Sequence, residues 1–152
     1  MKDNKYSLRA LALMLAYPDA ALRAQLPQLV EAIEAEGAVP AARRLEIKAM
    51  AAELARMDAM DVEARYVETF DRGRATSLHL FEHVHGDSRD RGPAMVDLAK
   101  TYEKAGLFMG ADELPDHLCV VMEFASTQPP KLAAEFLGEM EQVVPWAKLC
   151  EL

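Results

Sequence analysis

Cysteine, isoleucine and tryptophan are scarce in this chain, which has 152 residues but only two cysteines, two isoleucines and one tryptophan. Cys119 and Cys150 are too few for a disulfide framework, and a chain of this length buries a sizeable core without one. The chain does not start with a basic segment followed by an apolar run and a cleavage site. These features predict a single domain, residues 1–152, in a reducing cytoplasm.

Signals for β-strands and for membrane spans are also weak. Threonine is nearly as rare as isoleucine, valine seldom alternates with polar residues, and alanine and leucine dominate. This composition predicts an all-α fold, a helical bundle. The apolar run at residues 10–17 is far shorter than the ~20 residues of a membrane-spanning helix. We therefore expect a core helix there and no stable membrane insertion.

Positive charge is deficient, especially in the last part of the chain. The net charge is −8, and residues 92–152 contain 4 basic and 10 acidic residues, which accounts for −6 of it. This imbalance disfavours nucleic acid and anionic membranes as partners and favours a basic peptide or protein. The sequence also has no Gly-rich loop for phosphate and no defensible Ser-His-Asp spacing.

Apolar periodicity and punctuating residues predict a series of helices. Boundaries are expected at Pro18, Asp19, Pro27, Gly37, Pro40, Gly73, Ser77, Gly86, Gly106, Pro115 and Pro129-Pro130. Asp19 is expected to cap a short second helix, and Pro27 to lie in the first turn of a third. A His-bearing helix is expected from Ser77 to Gly86, and the stripe of the last helix is expected to reach Val144.

Polar chemistry is concentrated between residues 63 and 92, which hold half of the arginines and three of the four histidines. The triplet Asp-Arg-Gly occurs twice there, at residues 71–73 and 90–92. On a helical wheel, His79, Glu82 and His83 face away from the neighbouring apolar residues. This pattern predicts a polar face that looks into solvent, a cleft or a partner. An ordinary solvated helix face is the alternative.

The same three residues form the sequence H-x-x-E-H, the inverted zincin motif. In that motif two histidines one turn apart bind zinc, and the glutamate acts as general base on the bound water. A zinc-dependent peptidase is therefore the enzymatic alternative, although a third ligand is not evident. His117 and Cys119 do not supply it, because they point to different faces of a helix.

Four motifs resemble those of a known family. They are YVETFDRGR at residues 66–74, SLHLFEHVHG at 77–86, SRDRG at 88–92 and ELPDHL at 113–118. Together they are similar to the NarJ family of nitrate reductase assembly chaperones, within the TorD/DmsD-like redox-enzyme maturation proteins. The similarity extends in order and spacing from Tyr17 to about Ser126.

The resemblance implies a non-enzymatic, all-helical TorD-like chaperone of the cytoplasm, with no cofactor of its own. Its expected partner is the N-terminal peptide of the nitrate reductase catalytic (alpha) subunit, which it would keep competent for molybdenum cofactor insertion before membrane docking. Direct contact with molybdenum cofactor synthesis proteins stays open. A plain helical scaffold without a dedicated client is a further alternative. NarJ chains are usually longer, and a natural short form or a C-terminal truncation would both explain this chain.

Partner binding is predicted for the residues of these motifs, namely Tyr66, Phe70, Asp71, Arg72, Arg74, His79, Glu82, His83, His85, Arg89, Arg91, Asp116 and His117. Each group also has a structural interpretation. The aromatic residues, with Phe81, would be core, and the charged residues of the two Asp-Arg-Gly loops would form an ion-pair network. Asp116 and His117 would belong to the start of a helix after Pro115.

Overall fold

The computed structural model describes residues 3–72 and 74–143, without the side chains of Arg74 and Val143. In these two ranges the backbone forms seven α-helices and no strand, so the all-α prediction is confirmed. The helices are α1 Lys5–Met14, α2 Ala20–Glu36, α3 Ala41–Arg56, α4 Ala59–Tyr66, α5 Arg91–Lys104, α6 Leu118–Ser126 and α7 Pro130–Val143. No helix in the described ranges has both the length and the apolar character needed to cross a membrane.

Helix α2 begins and ends where the sequence predicts, but it is one helix rather than two. The Asp19 side chain accepts a hydrogen bond from the Leu22 backbone N–H at 2.8 Å, and Gly37 ends the helix with φ 66°. Pro27 lies inside this helix, so the predicted boundary there is wrong. Since Leu22, Leu26 and Ile33 are all buried on the same helix, packing outweighs the backbone hydrogen bond that proline removes.

The last residue of α2 caps the first turn of α1. The Glu36 carboxylate accepts hydrogen bonds from the backbone N–H groups of Tyr6 and Ser7, each at 2.9 Å. These groups have no partner within the helix, and a carboxylate there also favours the positive end of the helix dipole. The contact therefore fixes the start of α1 against the end of α2.

The core is formed mainly by α1, α5, α6 and α7. Three aromatic rings pack together in it, with centroids 4.5 Å apart for Tyr102 and Phe124 and 4.9 Å apart for Phe124 and Phe136. Val121 and Leu98 are buried beside them. Helix α1 also packs on α2, and α2 on α3, so α1 and α6 form the middle of the bundle.

The predicted His-bearing helix is not formed. Residues 77–86 contain only a 3-10 turn at Leu80–Glu82, and the backbone of His79 is extended. The Leu80 N–H donates to the Asp116 carbonyl at 3.1 Å, and the Leu118 N–H donates to the Leu78 carbonyl at 2.8 Å. These tertiary bonds, around an antiparallel bridge between His79 and His117, replace the bonds of a helix. The faces that a helical wheel assigns therefore do not apply to these residues.

Helix α7 follows α6 closely. A π turn at Val67–Asp71 continues α4. Such turns insert an extra residue into a helix and are often found at functional sites. Tyr66 and Phe70, at the beginning of this turn and within it, lie with their ring centroids 4.9 Å apart. The predicted stripe of α7 is present up to Met140, and Val144 lies outside the described residues.

Candidate functional site

An apolar cavity of about 710 Å³ lies between α1, α3, α4, α6 and α7 and is open to the surface. Leucine and methionine side chains from these helices line most of it, together with Tyr66 and Phe70. The volume is within the ~300–1,000 Å³ that is usual for ligand sites. An apolar opening flanked by helices is also the shape that accepts the apolar face of an amphipathic helix. We refer to this cavity as the groove.

Tyr66, at the end of α4, contacts the end of α1 and the residues that follow it. Its hydroxyl donates a hydrogen bond to the Leu15 carbonyl at 2.7 Å, and its ring contacts Tyr17 edge-on with centroids 5.6 Å apart. Burial raises the pKa of Tyr66 to about 12, and the nearby Cys119 and Asp71 add to the effect. The phenol therefore remains a hydrogen-bond donor at neutral pH and holds the π turn against the end of α1.

Four methionines, Met14, Met50, Met122 and Met140, line the groove and come from four different helices. Sequence reasoning did not select them as site residues, because each looks like an ordinary member of an apolar helix stripe. Methionine is flexible and polarisable, and it is common on surfaces that adapt to helical partners. Nine methionines among 152 residues was the signal that was available.

Behind the groove lies a polar cluster, centred on the buried Asp116, that joins two of the sequence motifs. Asp116 is 0 % exposed, and its Oδ2 atom accepts a hydrogen bond from the Phe81 backbone N–H at 2.9 Å. Its Oδ1 atom lies 3.8 Å from His79 Nδ1, which is within ion-pair distance but too long for a hydrogen bond. Neither of these two atoms has a hydrogen-bond partner among the described residues.

His117 completes this cluster, with its ring edge-on to His79 at a centroid distance of 4.8 Å. Its Nδ1 atom accepts a hydrogen bond from the Cys119 backbone N–H at 3.2 Å, so His117 is the N-cap of α6. Burial lowers the pKa of His117, and His79 lowers it further, against the opposite effect of Asp116 and Asp71. The neutral ring that acts as the cap is therefore favoured.

The Asp116 and His117 motif thus has the structural role that the sequence left as one alternative. It begins α6, but Asp116 holds the segment containing Phe81 rather than the first turn of the helix. Leu80 and Leu118, one on each side of the antiparallel bridge, line the groove. The cluster therefore positions part of the groove wall.

The other two residues of the predicted polar face have partners other than Asp116. His83 is half-buried, and its Nε2–H donates to the Ser77 carbonyl at 2.8 Å. Glu82 lies 3.7 Å from the guanidinium of Arg91. Val84, one of the neighbouring apolar residues on the opposite side of the wheel, is 51 % exposed. The prediction of one polar face is wrong, because residues 77–86 are not a helix.

The remaining predicted residues lie around the two Asp-Arg-Gly loops. The His85 ring packs edge-on against Phe81 with centroids 5.5 Å apart. Asp71, Arg72 and Arg89 are exposed, and the Arg74 side chain lies outside the described residues. The described part of this region contains an ion pair of Arg91 with Glu82, which does not belong to the two Asp-Arg-Gly loops, so the network predicted between those loops stays a prediction.

The helix that the zinc-peptidase alternative requires is not formed at residues 79–83. The motif requires two histidines one helical turn apart, but His79 Nδ1 faces Asp116 whereas His83 Nε2 is bonded to a carbonyl. Within residues 3–72 and 74–143, no group of three or more His, Cys, Asp or Glu side chains is arranged to hold a metal ion. The described geometry gives this motif no second supporting feature.

Comparisons with known proteins agree with the motif resemblance. The sequence profile of the family described as nitrate reductase delta subunit matches residues 16–144. The nitrate reductase molybdenum cofactor assembly chaperone NarJ of Escherichia coli (strain K12) is 46% identical over 131 residues, which cover 86% of this chain and 56% of that protein. The nitrate reductase-like protein NarX of Mycobacterium tuberculosis (strain ATCC 25618 / H37Rv) is 36% identical over 140 residues, 91% of this chain and 20% of that protein.

A solved structure shares the fold. It comes from Archaeoglobus fulgidus, is described as that of a redox enzyme maturation protein, and aligns with a TM-score of 0.61 at 22% identity. The alignment covers 87% of this chain and 75% of the other. This chain spans about half the length of the Escherichia coli relative, at 56%, and a smaller share of the mycobacterial one.

Proposed function

The chain belongs to the nitrate reductase delta subunit family, and from this we propose that it is a non-enzymatic assembly chaperone for a nitrate reductase, acting in the cytoplasm. Its client is the N-terminal segment of the catalytic subunit. While bound, that subunit stays competent for insertion of the molybdenum cofactor before it docks at the membrane. The Escherichia coli relative is a nitrate reductase molybdenum cofactor assembly chaperone, which supports this assignment.

The observation that carries the proposal is the groove. Its lining is mostly leucine and methionine, and Tyr66 and Phe70 add aromatic surface that costs little conformational entropy to immobilise. An amphipathic client helix would bury its apolar side chains there. Of the residues first expected to bind a partner, these two contact the client, whereas Asp116 and His79 act from behind the groove wall.

Titration of the full chain with a peptide of the cognate catalytic subunit's N-terminal sequence tests the proposal. Two variants of α7 are compared, because Met140 lines the groove whereas Leu132 is 51% exposed outside it. Met140→Ala should weaken binding roughly tenfold or more, since burial of such a side chain contributes ~1.5–3 kcal/mol and ~1.4 kcal/mol is a factor of ten. Leu132→Ala should leave the affinity unchanged. Equal affinities for both variants, or no binding at all, would contradict the proposal.

The maturation step has its own measurement. The catalytic subunit is produced in cells with and without the chain, purified before membrane docking, and analysed for molybdenum. We expect less molybdenum per subunit when the chain is absent or carries Met140→Ala. The same molybdenum content in every case would separate peptide binding from any role in cofactor insertion.

A further inference from the structure

Few of the described side chains that line the groove have polar atoms able to form ion pairs or strong hydrogen bonds, namely Arg65, Tyr66, Thr69 and Glu141. Two of these four, Tyr66 and Thr69, already donate hydrogen bonds within the chain. The Tyr66 hydroxyl donates to the Leu15 carbonyl, and the Thr69 hydroxyl donates to the Arg65 carbonyl at 2.7 Å. Among the lining residues that the structure describes, this leaves one cation and one anion, Arg65 on α4 and Glu141 on α7, as the charged groups that can meet a client.

These two charges are not equally available. The Arg65 Nη1 atom lies 3.2 Å from a carboxylate oxygen of Glu53, so a client acid would have to compete with a partner already in place. Glu141 is exposed, and among the described residues it has no hydrogen bond or ion pair. The charge that the groove offers to a partner is therefore negative and lies on α7.

The rest of α7 reinforces this sign. Glu135 and Glu139 are exposed on the same helix, and its one basic residue, Lys131, lies at the opposite end from Glu141. Glu139 does not line the groove. It therefore contributes to the general field around α7 but not to a contact inside the groove.

Resting on the proposed function, we propose that Glu141 is the charged specificity determinant of the groove and pairs with a basic side chain of the client. The occupant is an amphipathic helix with a lysine or arginine one turn from its apolar stripe, on the side that faces α7. The apolar stripe supplies most of the affinity, whereas the ion pair selects basic helices over acidic ones of equal hydrophobicity. Arg65 has the lesser role because Glu53 holds it.

Three synthetic helical peptides test this assignment. They share one apolar stripe and carry lysine, glutamine or glutamate at a single flanking position. Each is titrated against the native chain, Glu141→Gln, Glu141→Lys and the control Glu139→Gln, at ~0.15 M salt so that only charges within ~8 Å interact strongly. We expect Glu141→Gln to weaken the lysine peptide roughly two- to fivefold, as for an exposed ion pair, and to leave the glutamine peptide unchanged.

Glu141→Lys should reverse the order, so that the glutamate peptide binds more tightly than the lysine peptide. Glu139→Gln should not discriminate among the three. The inference is overturned if Glu141→Gln weakens the lysine and glutamine peptides equally, or if Glu139→Gln has the same selective effect. In those cases binding that still depends on Met140 would leave the proposed function intact, whereas failure of all three peptides to bind the native chain would remove both.

Discussion

Replacing Asp116 with alanine should destabilise the fold, and the size of the effect follows from one hydrogen bond. The Asp116 carboxylate is fully buried and accepts the Phe81 backbone N–H at 2.9 Å. Alanine leaves that N–H buried without an acceptor, at a cost of ~1–3 kcal/mol. Asparagine retains an oxygen that can accept the same bond. A smaller loss is therefore expected for Asp116→Asn.

Thermal unfolding followed by far-UV circular dichroism measures this difference. For a chain of this size 1 kcal/mol shifts Tm by roughly 2–4 °C, so Asp116→Ala should lower Tm by about 2–12 °C. Asp112→Ala is the matched control, because Asp112 is exposed in a nearby loop and its loss should change stability by no more than about 0.5 kcal/mol.

The outcome also separates the two contacts of Asp116. If Asp116→Ala melted within about 1 °C of the native chain, the hydrogen bond to Phe81 would not stabilise the segment that lines the groove. If Asp116→Asn lost as much as Asp116→Ala, the charge facing His79 would be the stabilising element instead. Loss of Tm together with unchanged client affinity would show that the cluster does not shape the groove.

Three further predictions concern single residues. Burial lowers the pKa of His117 below its usual 6.5. The stability that the neutral His117 ring contributes should therefore be complete above pH 6.5 and be lost as the pH falls through the lowered pKa. Urea unfolding of the native chain and of His117→Gln at several pH values measures this change. Burial raises the pKa of Cys119 to about 11, so in a Cys150→Ser background iodoacetamide should alkylate it about tenfold or more slowly than a free cysteine. Glu36→Ala removes the acceptor of two N–H groups at the start of α1 and should cost ~0.5–2 kcal/mol in chemical unfolding.

Contrary results are equally specific. If the free energy of unfolding of the native chain exceeded that of His117→Gln by more at acid pH than at neutral pH, the folded state would favour the protonated ring. Rapid alkylation of Cys119 would mean that the first turn of α6 opens in solution. A Glu36→Ala protein as stable as the native one would show that water satisfies the start of α1 equally well.

The helices were predictable where a local signal and the packing agreed. Asp19, Gly37 and Pro40 punctuate the chain at the observed boundaries, because each acts through its own backbone geometry or side chain. Pro27 misled because residues before and after it, Leu26 and Ile33, are buried on the same helix, and their packing stabilises α2 across the proline. Ser77 misled because two backbone hydrogen bonds of the following segment, at Leu78 and Leu80, join it to residues more than 30 positions away, which no local pattern encodes.

The sequence pointed to Tyr66 and Phe70 of the groove, but not to the rest of its apolar surface. The wheel and the motifs drew attention to His79 and Asp116, which the structure brings within 3.8 Å. The groove depends instead on Met50, Met122 and Met140, which share no sequence spacing. Residues contributed by different helices converge only once the helices are packed, so periodicity alone could not identify them.

The π turn after α4 makes the length of this segment, and not only its composition, a requirement for the groove. Each residue of an α-helix advances the side-chain direction by ~100°. Removing one of residues 67–69 would let the α-helix continue and would rotate Phe70 away from the cavity, although the Phe70 side chain itself is retained. A one-residue deletion in the exposed stretch at residues 110–113 would leave the groove intact. Tolerance to insertion and deletion should therefore differ sharply between these two parts of the chain.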